Sequence, residues 1–384
     1  MVGKENDLFT FVAVGDVSPK RDDPPSIFRY CRDALSSADI VFGQMESPLS
    51  DRGTPMFTPG VNRRLPPKNI SALTEEGAGF DVMSFAGNHS MDYGWEAFYD
   101  TLDALKKNKI AVVGAGRNIA EARTPAILER KGTKVGFLAY LSIINPGLIA
   151  QENIPGCVPL MASTCYQQMS PWPGAPPLVV TKLFPENKQA LEDDIRELRP
   201  QVDVLIVSMH CGIETIPAII AMYQKEAAYA AIDSGADLVL QHHAHILKGI
   251  EVYKGKAIFY GLGNFATEHS APSSGETTIK WTPALDQYKK LITKIKPIPG
   301  WEEYRYHPDA RKTIIAKAYI QGKKIQKVTY LPCYLRPSLR EYEVVKRKDP
   351  RAQEVFDYVK QISDTEDLKV DFSWEGDEVL VSRG

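Results

Sequence analysis

An α/β fold is predicted by three features of this 384-residue sequence. Short apolar, β-branched runs alternate with helical stretches to about residue 265, the pattern of a largely parallel sheet with helices on its faces. Run after run ends close to a glycine and a metal-ligand type of side chain: Gly15-Asp16, Gly43-Gln44-Met45-Glu46, Gly87-Asn88-His89 and His210-Cys211-Gly212. The run Leu238-Val239-Leu240 delivers His242, His243 and His245 to its C-terminal end, which is where open α/β sheets put their ligands. Three imidazoles in four residues are poorly explained by packing, because each buried ring nitrogen needs a partner.

Residues 9–14 read as the first strand, with Asp16 just past it; taken alone, that Asp reads first as a turn or N-cap residue. Residues 26–37 are expected to be helical and 39–42 a strand, leading to Glu46 in the same layout as Asp16. Residues 51–69, rich in Pro, Gly and Arg, form a surface loop. Arg63 and Arg64 in it are candidates for gripping a substrate carboxylate or phosphate bidentately, solvated loop charges being the alternative. A helix over 71–76 leads to a strand at 81–86 and the segment Gly87-Asn88-His89-Ser90-Met91-Asp92. Residues 95–107 are an amphipathic helix and 110–113 a strand, while 126–130 and 134–140 flank Lys131-Gly132-Thr133 as a hairpin.

Residues 143–180 have no period of 2 or 3.6 but carry aromatic residues, which argues for a folded flap. The helix over 185–198 runs into a strand at 202–208 and then His210 and Glu214; a further helix covers 223–234. After the histidines a strand at 257–260 ends in Gly261-Leu262-Gly263-Asn264-Phe265, a turn that lets backbone come close to whatever the histidines hold. Asn264 is a substrate-binding candidate. Residues 268–312 break the pattern and read as an insertion covering the site, its long aromatic stretch walling a pocket together with 143–180. Residues 313–320 and 325–330 form a hairpin that returns to the sheet, 350–362 a terminal helix, and the acidic tail from Asp364 a loosely held strand and coil. The expected organisation is one domain over 1–345 and a C-terminal helix and tail over 346–384.

Composition narrows the function classes. Lys and Arg number 46 against 48 Asp and Glu, so no basic excess points to nucleic acid. No apolar run reaches the ~20 residues of a membrane-spanning helix, and the N-terminus has no signal-peptide pattern, so the expected location is the cytoplasm. Five scattered cysteines without a CxxC pair indicate neither a disulfide framework nor a zinc knuckle. Asp, Glu, Asn and His at several strand ends make a mixed nitrogen and oxygen donor set, which suits one or two divalent ions of Zn, Mn or Fe.

In this order, GD, then Glu, then GNH, then His, then HxH, the sequence resembles the calcineurin-like metallophosphoesterases. The segments GNHSMDYGWEAFYDTLDALKKNKIAVVGAGRNIAEA, SMHCGIE and GADLVLQHHAHILKGIEVYKGKAIFYGLGNF are closer still to the CapA/PgsA-type proteins of poly-γ-glutamate capsule synthesis. The resemblance covers roughly residues 8–268 and the hairpin after 313. It implies a four-layer sandwich of two mixed β-sheets flanked by helices. It makes Asp16 and His245 ligands of one metal, Asn88, His210 and His243 ligands of the other, and puts Glu46 between them. His89 becomes the acid or transition-state donor, with Asp92 orienting it, and Glu214 lies near enough to touch substrate. The phosphoesterase histidine two places after the first Asp is here Ser18, Glu46 stands for the usual bridging Asp, and Gln241 for the glycine before the His pair. The expected activity is therefore hydrolysis of an amide or peptide bond in a small, anionic, glutamyl-type substrate. The alternatives are a metal-dependent epimerase, a phosphoesterase, and a non-catalytic component of capsule synthesis.

Overall fold

The structure is a computed structural model and describes residues 8–56, 63–145, 147–172, 175, 177–268, 307–337 and 340–383. Two mixed sheets lie face to face. The larger has a parallel half, in which Phe9–Ser18, Ile40–Met45, Val82–Ser84 and Ala111–Val113 are neighbours in that order. Its other half is antiparallel: Lys312–Gln321 pairs with Phe9–Ser18 and continues through a hairpin into Lys324–Leu335. The second sheet has a parallel centre of Thr133–Leu141, Val204–His210, Leu238–His242 and Lys256–Phe259, edged by the antiparallel strands Ala126–Arg130 and Ile250–Tyr253.

Aromatic side chains hold the sheets together. Phe11 and Phe42 of the first sheet meet Phe137 of the second, with ring centroids 5.9 and 6.0 Å apart. Each such ring removed from water contributes about 1.5–3 kcal/mol. Side chains alternate across a strand, so Gly43, next to Phe42, faces outward. There it meets Phe80, which packs edge-on against Phe28. The helices Pro185–Leu198 and Met222–Ser234 cover the outer face of the second sheet with Leu191, Ile195, Ala227 and Ala231 against Val207 and Val239. The result is the helix, sheet, sheet, helix layering that the resemblance implied.

Several expectations are corrected. Residues 26–37 are not one helix but a 3-10 turn, Pro24–Phe28, followed by the short helix Arg32–Ser36. In place of a helix at 71–76 there is the 3-10 segment Pro67–Ala72. The acidic tail is not loosely held: Asp371–Glu375 and Glu378–Ser382 form a hairpin whose second strand pairs with Lys324–Leu335, Val381 opposite Val328. Within 143–180 lies most of an antiparallel ribbon, Ala162–Gln167 with Leu178–Leu183, whose base hydrogen-bonds the start of the Met222–Ser234 helix through Tyr223 N and Thr181 Oγ1 at 3.2 Å. The helix start follows the His210 loop, so the ribbon stands at the same end of the sheet as the histidines. Of the expected covering insertion, 269–306 lie outside the described residues.

Candidate metal centre

The parallel halves of both sheets end at one place, and their terminal side chains converge there. Asp16 lies inside the first strand rather than beyond it, because the turn after Tyr260 comes back as a further strand, Asn264–Thr267, running parallel beside it with Asn264 opposite Asp16. That pairing needs Gly15: a Cβ there would sit 1.9 Å from the Gly263 carbonyl oxygen. The same carbonyl accepts a 2.9 Å hydrogen bond from Asp16 N, and Gly263 itself has φ +71°.

Asp16 and Glu46 are fully buried on neighbouring strands. Both Asp16 oxygens lack a hydrogen bond, although His245 Nδ1 comes within 3.3 Å of Oδ2 and His242 Nδ1 within 3.8 Å of Oδ1. Glu46 stands at the middle of the group, with His245 Nε2 and Arg63 Nη1 at 3.5 and 3.1 Å from Oε1 and His210 Nε2 at 3.8 Å from Oε2. One donor atom each from Asp16, Glu46 and His210 lie mutually within 4.8 Å. His210 Nε2 is also 2.8 Å from Asn88 Oδ1, and the ring centroids of His210 and His243 are 5.0 Å apart. His243 and His245 are turned inward by left-handed backbone, φ 85° and 57°. That conformation is uncommon for residues other than glycine, asparagine and aspartate, and such strain gathers at functional sites.

The electrostatics follow from burial and crowding. Burial pushes the Glu46 carboxyl up, and the Asp16 charge adds to it. Burial would also raise Asp16, but the close approach and charge of the His245 imidazole bring it below the usual carboxylate range. For His245 burial works downward, and the adjacent Asp16 carboxylate with the Glu46 charge overcomes it, so its imidazole is held up at about 9. Burial and neighbouring imidazoles hold His210 far below the ordinary histidine value, and His243 is lowered to about 4 by burial and His245. Neutral imidazole is the ligand form, so these two rings are in it at neutral pH. Buried ligand atoms without hydrogen-bond partners, on a mixed donor set, fit a divalent ion of the Zn, Mn or Fe kind.

The rim differs from the floor. His89 Nδ1 donates to Asp92 Oδ2 at 2.7 Å and its Nε2 faces Glu46 Oε1 at 4.0 Å. Arg63 N donates to the same Asp92 oxygen at 2.6 Å, and its buried Nε has no partner. Ser90 Oγ to Gly87 O, 2.8 Å, closes the turn that carries Asn88 and His89. Glu214 is exposed, near enough for its charge to act on His243 and His245. Its loop is pinned from below by the buried Lys248, whose Nζ donates to the carbonyls of Ile216 and Ile219.

Two expected substrate contacts are placed elsewhere. Arg64 turns away, donating to the carbonyls of Asp51 and Arg52 and lying over the Tyr93 ring at 4.3 Å. Asn264 is 1% exposed and puts Oδ1 2.8 Å from His245 Nδ1, so it orients that ring rather than facing outward. Ser18 Oγ pairs with Ser47 Oγ at 2.7 Å. Sequence reasoning left His242 without a role, though its place in the alternation Leu238, Leu240, His242 puts it on the face that looks toward the other sheet.

The family described as "Bacterial capsule synthesis protein PGA_cap" matches residues 10–269. The chain belongs to that family. It is similar to the PGA biosynthesis protein CapA of Bacillus subtilis, 28% identical over 62% of this chain and 56% of that one. It is also similar to the capsule biosynthesis protein CapA of Bacillus anthracis, 28% identical over 68% and 60%. The chain thus spans less than two thirds of the length of these family members. Among solved structures, the calcineurin-like phosphoesterase YfkN of Bacillus subtilis superposes with TM-score 0.33 and 12% identity, over 94% of this chain and 97% of that one. Among the described residues no helix is long and apolar enough to cross a membrane.

Proposed function

We propose that this family member is a metal-dependent hydrolase that cleaves an amide or peptide bond in an anionic, glutamyl-type substrate. The observation that carries the reading is the buried cluster of Asp16, Glu46, His210, His243 and His245, in which both Asp16 oxygens and Glu46 Oε2 are buried without a hydrogen-bond partner, beneath a rim of His89, Asp92 and Arg63. Asp16, Glu46 and His245 would hold one ion, and Asn88, His210 and His243 with Glu46 a second. Bound there, such ions lower the pKa of a water and polarise a carbonyl. Asp92 accepts the Nδ1 proton of His89, which aims Nε2 at the cluster, and a proton at Nε2 is the one His89 passes to the departing amine as the C–N bond breaks. Arg63 offers its remaining guanidinium donors to a substrate carboxylate beside Glu46. The names of the Bacillus relatives, and of a probable polyglutamine synthesis accessory protein from Mycobacterium tuberculosis, favour a glutamyl compound.

The test is a screen of γ-glutamyl amides, peptides and phosphoesters with metal-loaded protein. Amide cleavage is expected, with little turnover of p-nitrophenyl phosphates and a fall of about 10²- to 10⁴-fold in His89→Ala. Efficient phosphoester hydrolysis that His89→Ala abolishes would overturn the reading. Proton exchange at a substrate α-carbon without cleavage would replace it by epimerisation.

A further inference from the structure

The ligands proposed for the first ion are two carboxylates and one imidazole, Asp16, Glu46 and His245. A second imidazole lies beside them. His242 is 1% exposed, and both of its ring nitrogens are buried without a hydrogen-bond partner. A neutral ring must keep a proton on one nitrogen, and an N–H buried with no acceptor is destabilising. One flank of the ring is apolar, Phe42, at a centroid distance of 6.2 Å. The group that faces Nδ1 is Asp16 Oδ1 at 3.8 Å, itself without a hydrogen bond.

That separation decides between two arrangements. It is too long for a direct hydrogen bond. It is short enough for one ion to be shared, since metal bonds of about 2.0–2.2 Å to nitrogen and oxygen allow two ligands of one ion to stand up to about 4.2 Å apart. His245 Nε2, 3.5 Å from Glu46 Oε1, meets the same condition while its Nδ1 faces Asn264 Oδ1. We propose that His242 is a protein ligand of the ion held by Asp16, bound through Nδ1. It supplies the second imidazole that Ser18, paired with Ser47, does not. The proposal rests on the metal reading given above and adds to it a ligand from the second sheet.

The test compares wild type with His242→Leu and His242→Gln by metal titration and by zinc X-ray absorption, which counts coordinated imidazoles. Both variants should bind one of the ions at least about tenfold more weakly and show one imidazole fewer. Stability without metal supplies a separate readout. Replacing an unpartnered polar ring by an apolar side chain of similar shape should leave metal-free His242→Leu at least as stable as wild type, while added metal stabilises the variant less. Unchanged affinity and imidazole count in both variants overturn this proposal and leave the functional reading standing. Wild type that takes up no ion overturns both.

Discussion

His245 carries the most consequential charge state in the cluster. Its imidazole is held up at about 9 by Asp16 and Glu46 against the effect of burial, whereas His242 and His243 are lowered to about 4. At pH 7 the first is therefore an imidazolium and the others are neutral. A ligating histidine must be neutral, so taking up an ion at pH 7 should release at least about one proton, and affinity should rise with pH up to about 9. Calorimetric titration in two buffers of different ionisation enthalpy reads the release directly. Heats that do not depend on the buffer would remove the imidazolium from the account. The residues behind this prediction were legible to different degrees. Asp16, Glu46, His210, His243 and His245 follow from strand ends carrying ligand types, and the structure brings them together. Arg64 and Asn264 were not separable from Arg63 and a substrate contact, because a loop sequence does not say which of two adjacent arginines faces inward, nor that Asn264 would pair against Asp16 at the close approach of Gly15 and Gly263. His242 could have been found from the two-residue alternation of its own strand.

At the scale of elements, the long strands were readable and the short helices were not. The buried residues Pro24, Ile27, Phe28, Cys31 and Leu35 keep a spacing of three or four over a 3-10 turn, a bend and a helix, so the periodicity does not distinguish these from one continuous helix. The C-terminal hairpin was hidden by its acidity, although Phe372 and Trp374 alternate on one strand and Val379 and Val381 on the next. One of those acids ties the hairpin down. Glu378 accepts from Lys317 Nζ at 2.8 Å, from Tyr319 OH at 2.8 Å and from Thr329 Oγ1 at 2.6 Å, joining the last strand to both arms of the preceding hairpin. Burial opposes its ionisation, but these partners keep its carboxyl below the ordinary value of 4.5. The stabilisation is therefore present above about pH 4.5 and is lost as pH falls through the lower folded-state value. Glu378→Gln should cost about 1–3 kcal/mol at pH 7 in urea unfolding, and less as the medium is acidified. A cost that stays the same down to pH 3 would show that the charge plays no part.

For the whole molecule, the decisive feature is that the proposed ligands come from both sheets. Asp16 and Glu46 end strands of one sheet, His210 and the residues after Leu238–His242 end strands of the other, and the contact between the sheets is the apolar layer of Phe11, Phe42 and Phe137. An ion bound at their common end would clamp together two units that the core alone holds at that edge. Because the unfolded chain does not assemble these ligands, binding free energy becomes folding free energy, about 2.7 kcal/mol when free metal is a hundred times its Kd. Thermal unfolding should move upward on adding Zn or Mn to chelator-treated protein and return on chelation. His243→Ala removes a ligand from a turn beyond the strand, so the metal-free variant should unfold near the metal-free wild type and gain less from added ion. Equal gains in variant and wild type would place the ion away from His243, and a metal-free variant that fails to fold would mean that the left-handed turn at His243 and His245 is part of the core rather than a mount for ligands.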